Sequence, residues 1–460
     1  MYIFASVIFV LKIYSHSVTS LHSHPKPGLV LYKWYINLIN RTLMIRHRYT
    51  VGQENIPAKG EKYFIACNHQ NAANDAINIA FAYPVDYLQH FVVRANVFSL
   101  NPAITSFLSW LGLMPAFRMG WEGGEALEEN FRLFDRLAVR INQGRNVLVF
   151  PESGHTQGHY LDPFSTGLVR MAFHTAKYND WKEDIKILPT AHHYSDYHDA
   201  QYDFLWMVGE PISLQPYYAE FQEHPYRVMR EVTRRMRTAI QSMMLDEGLD
   251  NYAEKDFLRR SALNPATMKN LPLPEKLAED KVYVEQIKPL MDNEELVEQI
   301  DELMEREEKL GIRDTMMAAP PSWAGTLVGG LLVLALLPLW IVSLWPHIIC
   351  YWAPLALLKE DKMFTNSYRL ILSIVVLYPL FALITLLVMG LGFGMWWQAL
   401  VWILLWIPIG KFCWWYSQRA HNVIRALRYL THPSEIKAIA ELRERIQGVI
   451  DVANRYKKVV

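Results

Sequence analysis

Short apolar runs alternate with longer helical patterns between residues 51 and 215. Apolar runs at 63–67, 146–150 and 185–188 have the length of buried strands, and the last of them ends at Pro189. Residues 123–142 instead carry one apolar helical stripe, closed by a glycine: Leu127, Phe131, Phe134, Leu137 and Ile141, then Gly144. Strands separated by helices predict an α/β domain at 51–215, with a mixed sheet flanked by helices.

Residues 1–50 precede this domain and form an N-terminal arm. Its apolar residues recur at helical spacing beside a basic rim of Lys33, Arg41, Arg46 and Arg48; they are Leu31, Trp34, Tyr35, Leu38, Ile39 and Ile45. The pattern predicts an amphipathic helix that either packs on the next domain or lies in a lipid headgroup layer. Residues 3–11 are apolar but too few to cross a bilayer. We expect an interfacial anchor, or a start codon placed too early, rather than a signal peptide.

Residues 216–318 are helical in pattern and highly charged, as in the glutamate and lysine runs of 293–309. Such a composition predicts a solvated helical linker or hairpin in preference to a binding module.

Two uncharged apolar runs, 323–358 and 370–410, dominate residues 319–416 and predict a C-terminal α-helical transmembrane region. A spanning helix needs about 20 apolar residues, so the second run is long enough for two. Its glycines at 390, 392 and 394 are expected to supply the turn. The first run is broken by prolines at 338, 346 and 354, which predicts one span plus an interfacial piece, or a re-entrant hairpin.

The helical tail, residues 417–460, is rich in arginine, and the positive-inside rule places it in the cytoplasm. The α/β domain carries no obvious export signal and is expected on the same side. Both ends on one side require an even number of crossings, which favours the hairpin for the first run. We therefore expect an integral membrane protein, in the inner membrane if the source is a bacterium, with a cytoplasmic α/β domain.

The overall amino-acid composition excludes few classes of protein. Lysine plus arginine equals aspartate plus glutamate, 46 each, so the net charge favours neither nucleic acid nor a membrane surface. The three cysteines, Cys67, Cys350 and Cys413, are widely spaced and form no CxxC pair. A disulfide framework or a thiolate zinc site is therefore not expected.

Candidate chemistry begins where the first predicted strand ends. His69 follows that strand directly, and Asp75 lies six residues further on. A carboxylate bound to one imidazole nitrogen fixes the tautomer and allows the other nitrogen to accept a proton from an alcohol. Taken alone, such a pair is more often a structural cap than a catalytic device.

Further blocks follow His69 in order. Gly112–Arg118 ends in an arginine suited to grip phosphate. Phe150–Thr156 places Glu152 and backbone donors at the carboxyl end of a strand, where α/β sheets bind ligands. An F-x2-G-x2-R pattern and two proline-containing apolar segments complete the series: Phe164, Gly167 and Arg170, then 187–190 and 208–212.

With these blocks in this order, residues 30–215 resemble the glycerol-phosphate and lysophosphatidate acyltransferase family, which shows Asn-His-x4-Asp, Gly…Pro…Arg, Phe-Pro-Glu-Gly-Thr-Arg and Pro-containing strand blocks. The resemblance implies a membrane-bound O-acyltransferase of phospholipid synthesis. Such an enzyme moves a fatty acyl group from acyl-CoA or acyl-carrier protein to a hydroxyl of glycerol-3-phosphate or 1-acyl-glycerol-3-phosphate. The thioester is a co-substrate, and no cofactor, metal or nucleic acid is implied.

By this resemblance His69 is the general base and Asp75 orients it. Arg118 and Glu152 would hold the glycerol-phosphate part of the acceptor. The other residues expected at the acceptor site are Ser153, Gly154, His155 and Arg170.

Three departures from the family pattern leave the acceptor open. The spacing from His69 to Asp75 is one residue longer than usual, so either a bulged turn brings Asp75 in or Asn74 takes its place; we favour Asp75. Ser153 and Gly154 replace Gly-Thr, and His155 stands where arginine is usual. Arg170 could substitute for that arginine. Another lyso-lipid, for instance an amino-acid-containing one, is the alternative acceptor, and a non-catalytic lipid-binding protein is the alternative function.

Two clusters of charged and titratable residues lie outside these blocks. One follows Pro189 and could bind a divalent metal, but a solvated loop is favoured: His192, His193, Asp196, His198, Asp199 and Asp203. The second cluster is basic and predicts an exposed helix face, or a dock for anionic lipid or an acidic acyl carrier: Arg227, Arg230, Arg234, Arg235 and Arg237.

Overall fold

The computed structural model describes most of the chain, in these ranges: 27–83, 89–95, 98, 102–116, 123–152, 154, 158–357 and 364–457. The predicted acceptor residues Arg118, Ser153 and His155 lie outside these ranges, as does the apolar run at 3–11. The chain forms two compact units. The first comprises residues up to 41 together with 47–197 and 203–244; the second comprises 42–46, 198–202 and 245–460.

The first unit is built on one mixed sheet of eight strands, in the order β1-β7-β6-β2-β5-β3-β4, with β8 paired to β6. The strands are β1 Ile45–Val51, β2 Lys62–Cys67, β3 Gln89–Arg94, β4 Leu113–Ala116, β5 Asn146–Val149, β6 Ile185–Tyr194, β7 Tyr202–Val208 and β8 Ile212–Ser213. Strands β6, β2, β5, β3 and β4 run parallel, whereas β7 and β8 pair antiparallel with β6. The predicted α/β fold with a mixed sheet is confirmed.

Strand β6 continues six residues beyond the predicted run that ended at Leu188. Pro189 lies inside it, although proline cannot donate to a ladder. The proline falls between two partners: β8 pairs with Lys186 and Ile187, and β7 pairs from Thr190 onward. No ladder donor is needed at that position, so the strand runs on to Tyr194.

The helices of this unit flank the sheet: α1 Pro27–Ile39, α2 Ala72–Ala82, α3 Pro102–Trp110, α4 Gly123–Asn142, α5 Gly167–Tyr178, α6 Tyr218–Glu223 and α7 Pro225–Met243. Helices α4 and α5 pack on each other, and both contact β2. The predicted bounds of α4 agree with the structure, and Phe134, Leu137 and Ile141 are buried. Phe131 is 49% exposed, so its predicted place on the buried stripe was wrong.

Helix α1 carries two of the apolar residues predicted for the arm, Leu31 and Trp34, at 68% and 61% exposure. A π-helical turn, Asn40–Met44, ends the helical segment, and Ile45 begins β1. Ile45 is therefore a strand residue and not part of the predicted helix. Its side chain is buried.

The second unit is helical. Its helices are α8 Tyr252–Arg260, α9 Leu273–Ile287, α10 Glu294–Leu310, α11 Thr315–Ala318, α12 Trp323–Leu357, α13 Thr365–Leu391, α14 Trp396–Thr431 and α15 Pro433–Lys457. The charged region predicted as a linker thus contains α8 to α11. Their apolar sides pack with α15 around a core that includes Leu258, Ile300 and Ile446. Arg443 of α15 forms an ion pair with Asp314 beside this core.

Three helices of the second unit are long and apolar enough to cross a membrane: residues 323–350 of α12, then α13 and α14. The second predicted run does form two helices, and Gly394, with a φ of 68°, lies in the turn between them. A side chain disfavours this left-handed conformation, which glycine adopts readily. The candidate transmembrane region is confirmed by length and composition.

The first apolar run forms α12, whose helical conformation is interrupted at Trp345, where φ is −88° and ψ is 126°. It contributes one candidate span. We expected an even number of membrane crossings. If all three candidate spans cross, the number is odd and that expectation is wrong.

Candidate active site

His69 lies in the turn between β2 and α2, at the carboxyl end of a strand with parallel neighbours on both sides. Asn68, just before it, is buried and exchanges two hydrogen bonds with the backbone of His192 on β6. The Asn68 Nδ2 group donates to the His192 carbonyl at 3.2 Å, and the His192 N–H donates to Asn68 Oδ1 at 2.9 Å. These bonds fix the end of β2 against its neighbour and so set the start of the turn.

The imidazole of His69 is bonded to Asp75 on the first turn of α2. Its Nδ1 atom lies 2.9 Å from Asp75 Oδ2, which also accepts the backbone N–H groups of Gln70 and Asn71 at 2.8 Å each. Because a carboxylate oxygen accepts, Nδ1 carries the hydrogen, and Nε2 is the nitrogen with the lone pair. The Asp75 side chain is fully buried, whereas that of His69 is 18% exposed.

The turn accommodates its additional residue at Ala72. Ala72 has a φ of 46°, a left-handed conformation that is uncommon for a residue with a side chain. With this bulge in the turn, the carboxylate of Asp75 reaches back to His69. Of the two residues considered for this place, Asp75 makes the contact with Nδ1.

The other carboxylate oxygen of Asp75 faces β6. Tyr194 donates its hydroxyl to Oδ1 at 2.7 Å, and Nε2 of His192 lies 3.1 Å from the same atom, close but poorly aligned for a hydrogen bond. Burial alone would raise the pKa of Asp75, but the charge of His192 close to Oδ1 and the hydrogen bond from His69 outweigh it. They hold the pKa far below the ordinary value, so the group is a carboxylate.

His192 and His193 are buried in β6 and Asp203 is buried in β7, so the predicted solvated loop was wrong for these three residues. The prediction failed because it ended β6 at Pro189. Side chains alternate along a strand, and an extended β6 would have placed Thr190, His192 and Tyr194 on one face. Thr190 donates to the Ala66 carbonyl of β2, and the other two reach Asp75.

Phe150 holds the ring of His69 from one side. It follows β5, the parallel neighbour of β2, and its ring stacks on the imidazole with centroids 4.0 Å apart and planes 9° apart. Stacking and the Asp75 bond together fix the plane and the direction of the ring.

Glu152 ties the turn to the loop after β5. Its Oε1 accepts the backbone N–H of His69 at 2.7 Å, and its Oε2 accepts that of Asp162 at 3.0 Å. The residue also forms an isolated antiparallel bridge with Phe164. Glu152 is 8% exposed, and burial raises the pKa of its carboxyl to about 7 against the opposing effect of the two N–H groups. The acceptor-binding role expected for Glu152 stays a prediction; its contacts here are with backbone.

Of the other predicted acceptor residues, Gly154 and Arg170 lie in the described part of the chain. Arg170 is half-buried in the first turn of α5, where its N–H donates to the Thr166 carbonyl. Neither residue makes a recorded contact with His69, and their roles stay predictions.

The segment that carries most of these contacts matches a known family. Residues 47–193, about a third of the chain, match the family model described as Acyltransferase. His69, Asp75, Glu152 and His192 all fall within the matched segment.

Two further comparisons accompany the family match. A search of curated proteins found no match. Among solved structures, the chain is similar to the crystal structure of PlsC, the 1-acyl-sn-glycerophosphate acyltransferase from Thermotoga maritima. That likeness has 16% sequence identity and a TM-score of 0.31, and it covers 51% of this chain and 95% of that chain.

Proposed function

We propose that this protein transfers a fatty acyl group from an acyl thioester to a hydroxyl of glycerol-3-phosphate or 1-acyl-glycerol-3-phosphate, with His69 as general base. The observation that carries the proposal is the 2.9 Å bond between His69 Nδ1 and Asp75 Oδ2 within an acyltransferase-family domain. This bond leaves the lone pair on Nε2, the nitrogen that a base needs.

In the proposed step, Nε2 of His69 accepts the proton of the acceptor hydroxyl as the oxygen attacks the thioester carbonyl. The tetrahedral intermediate then collapses, the carbon–sulfur bond breaks, and the thiol leaves with the proton that His69 returns. An ester and a free thiol result. The Asp75 carboxylate stabilises the imidazolium between the two proton transfers. A positioned base of this kind contributes about 10²- to 10⁴-fold, and orientation of the two substrates supplies much of the rest.

Acceptor binding is proposed, by the family resemblance, for Arg118, Glu152, Ser153, Gly154, His155 and Arg170. An arginine at position 118 or 170 suits a phosphate group, because guanidinium binds it through paired donors. Glu152 supports this side of the site by holding the backbone of His69. The step as written uses no metal and no cofactor other than the thioester, whether acyl-CoA or acyl-carrier protein.

The membrane region fits substrates of this kind. Acyl chains and monoacylated acceptors reside in a bilayer, and three candidate spanning helices would keep the enzyme at that surface. Exposed Leu31 and Trp34 on α1 add apolar side chains suited to an interfacial layer.

Purified protein in detergent, offered labelled acyl-CoA or acyl-carrier protein with a panel of acceptors, tests the proposal. The panel contains glycerol-3-phosphate, 1-acyl-glycerol-3-phosphate and other lyso-lipids, including an amino-acid-containing one. We expect transfer to one of the two phosphate acceptors, with a loss of about 10²- to 10⁴-fold in His69→Ala.

His174→Ala is the matched control, since His174 also contacts a carboxylate, Asp135 at 2.7 Å, but on the surface of α5. Normal transfer by His69→Ala would overturn the mechanism. Transfer only to another lyso-lipid would keep the chemistry and replace the acceptor, whereas no transfer to any acceptor would favour a non-catalytic lipid-binding protein.

A further inference from the structure

Asp75 lies between two histidines that occupy different environments. His69 is bonded to Oδ2 and partly exposed, whereas His192, on the far side, contacts Oδ1 and is fully buried. Among the described residues, the recorded ion pairs of Asp75 are with these two histidines. His192 is too deep to touch a substrate, so any effect it has on the reaction acts through Asp75.

The surroundings of His192 fix its ring. Its Nδ1 lies 3.3 Å from Cys67 Sγ on β2, its ring packs against Tyr194 on its own strand, and Phe204 of β7 lies on the other side. Its backbone is held by the two bonds to Asn68. The polar or titratable groups around the ring are thus Asp75, Cys67 and Tyr194, with Glu152 acting on it through its charge from beyond β5.

A fully buried carboxylate is costly unless a positive charge or several donors compensate it. Asp75 has both: four recorded donors to its two oxygens, and the Nε2 atom of His192 at 3.1 Å. Burial alone would lower the pKa of His192, but the charge of Asp75, with a smaller effect of Cys67, raises it well above 6.5. Both shifts favour an imidazolium beside a carboxylate in this buried pair.

We propose that His192 is a positioning residue of the acyl-transfer site: it holds Asp75 from behind and offsets part of its negative charge, which weakens the pull of the carboxylate on a proton at His69. This inference rests on the proposed function of His69 as base. A lone carboxylate would attract a proton to His69 and remove its lone pair. The positive charge of His192 reduces that attraction while Asp75 still orients the ring.

The charge state of His192 can be read in the wild-type protein. The full chain in detergent, with ¹⁵N-labelled histidine, reports by NMR whether one or both ring nitrogens carry hydrogen. We expect both nitrogens of His192 to be protonated at pH 8. A ring with one unprotonated nitrogen at that pH would overturn the proposal, and this measurement needs neither a variant nor activity.

A pair of substitutions tests the effect on His69. His192→Gln keeps an amide that can donate near the position of Nε2 but removes the charge, and His193→Gln makes the same change one residue along, on the opposite face of β6. We expect protonation of the His69 ring to move to higher pH by on the order of one pH unit in His192→Gln. It should stay unchanged in His193→Gln. An unmoved His69 titration in folded His192→Gln contradicts the proposal.

Activity provides the second readout. In His192→Gln the acid limb of the kcat/KM profile should move to higher pH, so the loss of rate is about tenfold greater at pH 6 than at pH 9. A loss that is equal at both values would indicate a structural role only and reject the inference. Because Glu152 titrates nearby, Glu152→Gln is compared in parallel. Failure of the wild type to transfer any acyl group would instead reject the proposed function, and the NMR titrations would still decide the role of His192.

Discussion

Asp75 Oδ2 lies 2.9 Å from His69 Nδ1 and is bonded at the same time to two backbone N–H groups of the intervening turn. One carboxylate oxygen of Asp75 therefore both holds the backbone of the turn and orients the imidazole. Asp75→Asn keeps the size of the side chain but removes the charge that stabilises a protonated His69. We expect kcat to fall by about 10²- to 10⁴-fold, with little change in KM for either substrate.

Asp135→Asn is the control for this substitution, because Asp135 contacts His174 outside the site. Thermal unfolding of both variants shows whether Asp75→Asn is folded when assayed. A folded Asp75→Asn protein with wild-type kcat would contradict the orienting role.

Ala72 carries the bulge that brings Asp75 to His69, at a φ of 46°. A left-handed backbone costs a residue with a side chain roughly 1–2 kcal/mol, which glycine avoids, while removing the buried methyl of Ala72 costs about 0.8 kcal/mol. Ala72→Gly should therefore unfold at nearly the wild-type temperature and retain activity.

Ala72→Val is the matched variant for which we expect the opposite effect. A β-branched side chain disfavours this conformation more strongly and must also fit a position that is 4% exposed. We expect a loss of about 2–3 kcal/mol in stability and a large loss of kcat. Equal thermal unfolding of the glycine and valine variants would show that the bulge does not depend on this backbone conformation.

The fold of the α/β domain and the location of the His69 turn could be predicted from the sequence, because they rest on local apolar runs and on residues close in the chain. Helix α4 was predicted at its observed bounds for the same reason. Two features could not be predicted. The contact of His192 with Asp75 joins residues far apart in the chain, and proline at 189 suggested a strand end that pairing with β7 overrides.

The helical second unit shows a related limit of prediction from the sequence. The charge-rich helices α8 to α10 looked solvated in isolation, because the core that they form with one another is completed by α15, more than 120 residues further along. Periodicity indicates which face of a helix is apolar, but not which distant element covers it.

Glu152 should make stability depend on pH. Its carboxyl has a pKa raised from 4.5 to about 7 in the folded protein, so between these values the folded state binds more protons than the unfolded state. Its contribution to stability is therefore present below about pH 4.5 and falls by about 3 kcal/mol as the pH rises through 7.

Thermal unfolding of wild type and Glu152→Gln at about pH 5 and pH 7.5 measures this contribution. We expect the wild type to lose more stability over this interval than the variant, which lacks the titrating group. The comparison with the variant removes the effect of all other groups. Parallel pH dependences would show that Glu152 is charged in the folded protein throughout the range.

The number of membrane crossings can be decided by reporter fusions. We expect the basic tail after α14 and the α/β domain to be cytoplasmic, which requires an even number of crossings and therefore two of the three candidate spans. Helix α12, interrupted at Trp345, is then the candidate span that does not cross. Reporters placed between α12 and α13 and after Val460 should both be cytoplasmic, and one placed at Gly394 should be outside. A reporter between α12 and α13 that is found outside would establish that α12 crosses.

Helix α7 carries exposed arginines, for which we predict a role in binding an anionic acyl donor. Arg230 is exposed on this helix, and Arg237, two turns on, donates to the Leu161 carbonyl at 3.0 Å. Leu161 is next to Asp162, whose backbone N–H donates to Glu152. The exposed arginines of α7, called the arginine row below, therefore extend along the helix toward the loop beside the site. Acyl-CoA and acyl-carrier protein both carry negative charge, and a basic row near the site would raise their local concentration.

Reversing one charge of this row tests its role in binding the donor. Arg230→Glu should raise KM for the acyl donor several-fold, leave kcat nearly unchanged, and weaken the dependence of kcat/KM on salt, because screening acts on the same attraction. Lys309→Glu makes the same charge change on exposed α10 and serves as the control. If both variants raise KM equally, net charge accounts for the effect and α7 has no special part in it. If neither does, the row is a solvated helix face. A rise confined to Arg230→Glu, larger with acyl-carrier protein than with acyl-CoA, would indicate that the row binds the acidic surface of the carrier rather than the phosphates that both donors share.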